Sequence, residues 1–193
     1  MDGSLFSVGR YLSGVSSEDY DAVIYDLDGT LAQLAVDWDT VASEVDDALR
    51  ARDVDTTGHS LWDMLELSDE TGHRDIVEET IAEHEQAGAR SSTRLPLADE
   101  LPLDVPVGVC SLNCEAACHI ALETHDIDGY VDAVLGRDSI NTYKPDPAPL
   151  MALAAEFGVE PARTLFVGDS DSDATAAKRA SMAFQWARDR HER

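Results

Sequence analysis

The stretch Ala22-Val23-Ile24-Tyr25-Asp26-Leu27-Asp28-Gly29-Thr30 joins four apolar residues to a turn that carries two aspartates. The apolar run predicts a buried strand, and open α/β sheets bind ligands where such strands end. Gly29 permits a sharp turn that lets Asp28 swing back over the space beside Asp26. A polar turn is the alternative, since Asp-Gly is a common turn pair. If the strand ends there, one carboxylate can attack a substrate while the other moves a proton.

Further apolar runs predict three more strands, at residues 107–110, 131–135 and 164–167. Helical patterns separate them, at residues 114–125 and around 150–157, where Gly158 closes the helix. Strands that alternate with helices of this length indicate a parallel sheet covered on both faces. The sequence therefore predicts an α/β fold with a Rossmann-like, doubly wound parallel sheet.

Residues 33–95 interrupt this alternation with a purely helical pattern. Three stripes at helical spacing carry it: Val41, Val45 and Leu49; Leu61, Met64 and Leu65; and Ile76, Thr80 and His84. We therefore expect a core made of residues 1–32 and 96–193 and a small helical insertion after the first strand. Residues 1–20 form an extension with no assigned role, which leaves a monomer and a homodimer both possible.

The charge of the chain is strongly negative, with 39 acidic residues against 14 basic ones and a net charge of −25. We do not expect nucleic acid as a partner. Proteins bind its phosphate backbone through clustered Lys and Arg, whereas this chain has two lysines, Lys144 and Lys178, far apart in the sequence. The composition resembles that of proteins from salt-accumulating halophiles, and an acidic interaction surface is the alternative. We expect activity and stability to need high ionic strength.

Cysteine usage and hydropathy indicate the compartment. Cys110, Cys114 and Cys118 are an odd number of cysteines in a chain without a signal peptide or a long apolar span. This pattern predicts a cytoplasmic protein with no membrane partner. The three side chains are interpreted as small buried hydrophobic groups, with a metal site as the alternative.

Polar residues that suit a phosphate follow the later strands. Ser111 and Asn113 come directly after the second strand and before a helix, where a hydroxyl, an amide and free backbone N–H groups can converge on an anion. Capping of that helix would use the same atoms. Lys144 lies in a loop stiffened by Pro145, and it can serve as a point charge for a phosphate.

The segment Gly168-Asp169-Ser170-Asp171-Ser172-Asp173 closes the fourth apolar strand with three carboxylates. Hard oxygen ligands at this density favour Mg²⁺, with Asp169 as the first ligand candidate. A calcium loop is the competing idea, although the segment lacks the central glycine and terminal glutamate of an EF-hand. The sequence therefore predicts Mg²⁺ as the cofactor.

Taken in order, these segments resemble the signatures of the haloacid dehalogenase-like superfamily of phosphatases. The resembling segments are residues 26–30, Ser111, Lys144, and Gly168-Asp169 with Asp173, and the resemblance covers nearly all of residues 21–186. It implies that the insertion is a cap, placed as in phosphoglycolate phosphatase-like enzymes. Only 32 residues separate Ser111 from Lys144, too few for a large cap there.

The resemblance also implies which residue does which task. By this likeness Asp26 is the nucleophile that becomes phosphorylated, and Asp28 is the general acid and base. Ser111, Asn113 and Lys144 would bind the phosphoryl group of the substrate and offset its charge.

The same likeness implies how the metal is held. Its ligands would be the Asp26 carboxylate, the Asp28 main-chain carbonyl and Asp169. Asp173 would support the metal waters or orient Lys144. Thr30, counted with the substrate-binding positions, would steady the turn.

The function implied is a Mg²⁺-dependent phosphatase that hydrolyses a small phosphorylated metabolite through an aspartyl phosphate. Asp28 argues against dehalogenation, since the dehalogenases of the superfamily lack this second aspartate. A phosphotransferase or sugar-phosphate mutase of the same fold, a non-catalytic regulatory or binding module, and an acidic partner of a basic protein are the alternatives. The substrate would be read by cap residues, for which the candidates are His73, Arg74, Arg90, Arg94, Trp38 and Trp62.

Overall fold

The computed structural model describes residues 19–190, and these form a five-stranded parallel sheet with a helical insertion. The strands of the large sheet are β1 (Ala22–Tyr25), β4 (Val107–Cys110), β5 (Ala133–Leu135), β6 (Thr164–Gly168) and β7 (Ala183–Trp186). Their order across the sheet is β5-β4-β1-β6-β7. A separate antiparallel pair consists of β2 (Ala32–Gln33) and β3 (Thr93–Arg94).

Strand β1 lies at the centre of the large sheet because all four of its residues are apolar and buried. Val23 pairs in parallel with Val107 of β4 on one side and with Leu165 of β6 on the other. Three strands in this register end at the same edge of the sheet. The residues that follow β1, β4 and β6 are therefore neighbours.

Helices cover both faces of the sheet: α4 (Glu115–Thr124), α5 (Ala148–Glu156) and α6 (Asp171–Arg179), with the short α7 (Ala187–Arg190) after β7. Buried side chains of α4 pack with Val23 and Tyr25 on one face. Those of α5 and α6 pack with Ile24 and Phe166 on the other. The predicted α/β fold with a parallel sheet covered on both faces is confirmed.

The insertion consists of α1 (Trp38–Arg50), α2 (Leu61–Thr71) and α3 (Arg74–Arg90). These helices share a hydrophobic cluster of their own, separate from the two clusters at the sheet. The β2–β3 pair joins the two ends of the insertion, with Ala32 opposite Arg94 and Gln33 opposite Thr93. This arrangement supports the proposed division at residues 33–95.

The predicted third helical stripe of the insertion is wrong by one residue. The buried face of α3 carries Val77, Ile81 and Glu85, rather than Ile76, Thr80 and His84. Hydrophobic periodicity failed here because a charged side chain occupies the centre of the buried face. Strand β7 was also not predicted.

Three further predictions concern the cysteines, a membrane partner and the N-terminal extension. Cys110, Cys114 and Cys118 are buried free thiols, and burial raises the pKa of Cys110 to about 12. None of the helices within residues 19–190 is long and apolar enough to cross a membrane. The extension assigned to residues 1–20 lies, up to residue 18, outside the described residues.

Candidate active site

The polar residues predicted from the strand ends meet at one edge of the sheet. Asp26 follows β1, Ser111 follows β4 and Asp169 follows β6. Lys144 comes from the loop between β5 and α5 and reaches Asp26 across 118 positions of sequence. Parallel pairing of β1 with both neighbours produces this convergence, because it aligns the carboxyl ends of all three strands.

Lys144 is the centre of the buried part of the site. Its Nζ donates to Asp26 Oδ1 at 2.7 Å and to Asp173 Oδ1 at 2.5 Å, and the side chain is 2% exposed. Burial disfavours the ammonium, but the carboxylates of Asp26 and Asp173 outweigh it and raise the Lys144 pKa. Burial raises the pKa of Asp26, while Lys144 opposes this shift. The lysine is therefore a fixed positive charge beside Asp26.

Three carboxylates surround this single ammonium. One oxygen from each of Asp26, Asp169 and Asp173 lies within 4.8 Å of the others. The close approach depends on Gly29, where φ is +80° and a Cβ would lie 2.1 Å from Asp169 Oδ2. Burial raises the pKa of Asp169, and Asp173 adds to the shift. Three acidic oxygen donors against one ammonium fit a divalent cation, whose charge would relieve their repulsion.

Asp28 is held by the first residues of the insertion. Its Oδ1 accepts from the Leu34 backbone N–H at 2.8 Å and from Gln33 Nε2 at 2.9 Å. Burial raises the pKa of Asp28, and the Leu34 N–H opposes the shift. A raised pKa favours the protonated carboxyl that a general acid needs. The Asp28 carboxylate is outside the cluster that Asp26, Asp169 and Asp173 form.

The loop after β4 brings Ser111 and Asn113 to the same pocket, and both are buried. Ser111 Oγ donates to Asn113 Oδ1 at 3.0 Å, and the Asn113 N–H donates to Ser111 Oγ at 3.2 Å. Thr30 is buried below the turn, and its hydroxyl has no hydrogen-bond partner among the described residues. It does not line the pocket.

An ion pair that the sequence analysis missed fixes this loop to the insertion. Glu85 of α3 accepts from the Cys114 N–H at 2.9 Å and from Asn113 Nδ2 at 3.3 Å. Its carboxylate also accepts from Arg137 at 2.7 and 3.1 Å, and both side chains are fully buried. The signal was the four-residue spacing of Val77, Ile81 and Glu85, which places the glutamate on the buried face.

Every N–H group of the Arg137 guanidinium donates a hydrogen bond. It donates twice to Glu78 of α3, at 2.9 and 3.0 Å, twice to Glu85, and once to the Leu112 carbonyl at 2.6 Å. Burial disfavours the guanidinium, but Glu85 and Glu78 outweigh it and raise its pKa. The pair joins the insertion to the loop that carries Ser111 and Asn113.

The pocket above Asp26 has a volume of about 280 Å³. Of the six candidates from the insertion, Trp38 and Trp62 line it, with their ring centroids 6.0 Å apart. Arg74 instead pairs with Asp69 and Glu78, and Arg94 with Asp99. His73 precedes α3 and Arg90 ends it, and neither lines the pocket.

Comparisons with known proteins agree with this geometry. Residues 23–187 match the family model of the haloacid dehalogenase-like hydrolases. A phosphoglycolate phosphatase of Salmonella paratyphi A is 46% identical over 59 residues, which are 31% of this chain and 23% of that enzyme. An Escherichia coli K12 phosphoglycolate phosphatase has the same identity and coverage. The matched stretch thus spans less than a quarter of these relatives.

Solved structures match a larger part of the chain. One from Lactobacillus plantarum has a TM-score of 0.65 at 20% identity and covers 87% of this chain and 86% of its own. A hydrolase from Pseudomonas syringae has a TM-score of 0.63 at 25% identity and covers 85% of this chain and 83% of its own. The fold is shared over most of both chains.

Proposed function

Because the chain belongs to the haloacid dehalogenase-like hydrolases, we propose that it is a phosphatase that hydrolyses a small phosphomonoester through a phosphorylated Asp26. The observation that carries the proposal is the contact between Lys144 and Asp26 at 2.7 Å, beside the cluster that Asp26 forms with Asp169 and Asp173. A carboxylate nucleophile beside a fixed positive charge suits attack on an anionic phosphoryl group. The local match to phosphoglycolate phosphatases supports a phosphate ester as substrate.

In the first step an oxygen of Asp26 attacks phosphorus. The bond from phosphorus to Asp26 forms while the bond from phosphorus to the leaving oxygen breaks. Asp28 donates its proton to that oxygen, so the product leaves as an alcohol. Lys144, Ser111 and Asn113 hold the phosphoryl oxygens and offset their charge.

In the second step Asp28, now ionised, takes a proton from a water molecule. The resulting hydroxide attacks phosphorus, the bond to Asp26 breaks and inorganic phosphate leaves. Asp28 is again protonated and Asp26 is again a free carboxylate. The contacts of Gln33 and Leu34 with Oδ1 hold Asp28 in place at the entrance of the cap through both steps.

We further propose that the carboxylate cluster holds Mg²⁺. Asp26, Asp169 and the main chain of Asp28 are the proposed ligands, and Asp173 orients Lys144 through their 2.5 Å contact. The cation supplies charge neutralisation to the phosphoryl group and to the cluster. Oxygen-only donors favour a hard cation of this kind.

The first test measures inorganic phosphate release from 4-nitrophenyl phosphate in concentrated KCl. Wild type with MgCl₂ is compared with wild type in chelator and with Asp26→Asn. We expect turnover only for wild type with the metal. Asp171→Asn is the matched control, because Asp171 is exposed, lies in the same acidic segment and is outside the carboxylate cluster.

Turnover by Asp26→Asn at the wild-type rate would contradict the proposed nucleophile. Release of nitrophenol without an equal amount of inorganic phosphate, in the presence of an added alcohol, would identify a phosphotransferase instead. Full activity in chelator would remove the metal from the proposal. Circular dichroism of each variant would establish that it is folded.

A further inference from the structure

We infer that the preferred substrate is a phosphomonoester whose leaving group carries a planar, uncharged ring, and that Trp62 is the residue that selects it. The inference rests on the proposed phosphatase function and specifies its substrate class. It follows from three features of the pocket: an aromatic wall, the lack of a second free cation and the charge of the insertion.

The aromatic wall consists of Trp38 at the start of α1 and Trp62 at the start of α2. Both line the pocket that contains Asp26, and the planes of the rings are inclined by 46°. Trp62 is 43% exposed, although large apolar side chains of the insertion are otherwise mostly buried. An indole that faces a catalytic pocket offers a flat surface on which a ring of the leaving group can stack.

The second feature is the shortage of cations. Among the side chains of residues 19–190 that line this pocket, Lys144 is the single cation, and it is already placed beside Asp26 for the phosphoryl group. Arg137 lies 6.0 Å from the Trp62 ring centroid, but two carboxylates and a carbonyl accept all its hydrogen bonds. A carboxylate on the leaving group would therefore find no second cation among the side chains that line the pocket.

The third feature is electrostatic. Residues 33–94 carry 16 acidic side chains and 5 basic ones. Three of the arginines, Arg50, Arg74 and Arg94, pair with carboxylates of their own surroundings. At low ionic strength a second negative charge on the substrate would be repelled by this insertion, whereas an uncharged ring would not. Phosphoglycolate, which carries such a charge, is therefore expected to be a poor substrate.

The test compares kcat/KM for benzyl phosphate, cyclohexylmethyl phosphate and phosphoglycolate, with MgCl₂ and KCl present. All three are phosphate esters of primary alcohols, so differences in kcat/KM report mainly on the pocket. We expect benzyl phosphate to exceed phosphoglycolate by about tenfold or more, with cyclohexylmethyl phosphate between them. Stacking of a ring on an aromatic side chain is worth about 1–3 kcal/mol, which corresponds to roughly 5- to 160-fold.

Trp62→Ala should remove most of this preference, and Trp62→Phe should restore part of it. The matched control is Tyr130→Ala, because Tyr130 is 45% exposed and precedes β5 at the opposite edge of the sheet. We expect the control to keep the wild-type ratio of benzyl phosphate to phosphoglycolate.

Two results would overturn the inference: phosphoglycolate turned over as well as benzyl phosphate, or an unchanged ratio in Trp62→Ala. Failure of the proposed function is a separate result, because wild type would then hydrolyse none of the esters, including 4-nitrophenyl phosphate. In that case the inference is tested by calorimetry, which compares the binding of benzylphosphonate with that of phosphonoacetate. A preference for benzylphosphonate that Trp62→Ala abolishes supports the ring-binding pocket, and equal binding contradicts it.

Discussion

Two buried cations in this molecule each lie between two carboxylates, at the two ends of the same loop region. Lys144 contacts Asp26 and Asp173, and a third carboxylate, Asp169, completes an acidic excess beside an open pocket. Arg137 contacts Glu78 and Glu85 and has no unused donor. The lysine cluster is left short of positive charge where a ligand can supply it. The arginine cluster lies where two parts of the fold meet and has a second cation, because Arg74 also pairs with Glu78.

The chemistry of the two side chains suits this difference. An ammonium is a compact point charge that can contact a phosphoryl oxygen without displacing its neighbours, whereas a guanidinium is a rigid fork that fits two carboxylates at once. We therefore propose that the first cluster serves catalysis and that the second attaches the insertion to the core. Four changes test this assignment.

The largest effect is expected from Lys144→Met on turnover. Removal of a charge that stabilises the transferring phosphoryl group should lower kcat by about 10³-fold, in line with the loss of other preorganised electrostatic contacts. Phosphate release under saturating substrate measures it. Lys178→Met is the control, because Lys178 is the other lysine of the chain and is exposed near the end of α6. More than a tenth of the wild-type rate in Lys144→Met would contradict the assignment.

The next largest effect is expected from Arg137→Met, which should lower the free energy of unfolding. The substitution leaves the buried Glu85 without its cationic partner, whereas Glu78 keeps Arg74, and loss of one member of a buried ion pair costs about 3–5 kcal/mol. Urea unfolding measures it, and Arg137→Met/Glu85→Gln should recover part of the loss. Arg163→Met breaks the exposed pair with Asp21 and should cost less than about 1 kcal/mol. An equal cost at both arginines would remove the distinction between buried and surface pairs.

A change of pH is expected to alter the stability of the folded protein by a smaller amount, and with opposite sign in the two clusters. Burial opposes ionisation of Glu78, but Arg137 and Arg74 lower its pKa, so its stabilisation is present above about pH 4.3 and is lost as pH falls through the lowered value. In the lysine cluster burial raises the pKa of Asp169, so in metal-free protein its contribution is present below about pH 3.9 and is lost as pH rises through the raised value.

Asp169→Asn should therefore make the metal-free protein more stable at neutral pH, by less than about 1 kcal/mol because Asp169 is partly solvated. The same variant should lose the stabilisation by MgCl₂, which for wild type is about 1.4 kcal/mol at ten times the dissociation constant. Thermal unfolding with and without the metal measures both. A metal-dependent shift that survives in Asp169→Asn would exclude this carboxylate as a ligand.

The smallest effect is expected from salt, through its influence on the free-energy cost of Arg137→Met. Raising the ionic strength from 0.1 to 1 M shortens the screening length from about 10 to 3 Å, which weakens exposed pairs and leaves buried ones nearly unchanged. The cost of Arg137→Met should change by less than about 0.5 kcal/mol, although the whole chain should become more stable in KCl because its net charge is −25. A large salt dependence of that cost would mean that water reaches the pair.

The two clusters also differ in how far the sequence predicted them. Asp26 and Asp169 each follow an apolar run, and Lys144 lies in a loop stiffened by Pro145, and these local patterns were sufficient to nominate them. Glu85 was not found, because the helical pattern was assigned to the stripe one residue earlier, where His84 lies. A buried glutamate contradicts the hydrophobic pattern unless its partner is known, and Arg137 lies 52 positions further along the chain.

By itself the sequence determined the strands at β1, β4 and β6, the parallel α/β architecture and the residues at the ends of those strands. These features depend on short-range patterns of apolar residues, glycines and carboxylates. The tertiary structure alone decided that Lys144 lies between Asp26 and Asp173, that Glu85 is buried against Arg137, and that Trp62 faces the pocket. Each of these contacts joins residues far apart in the chain. The parallel sheet and its helices bring the Lys144 cluster together, and the packing of the insertion against the core places Glu85 and Trp62.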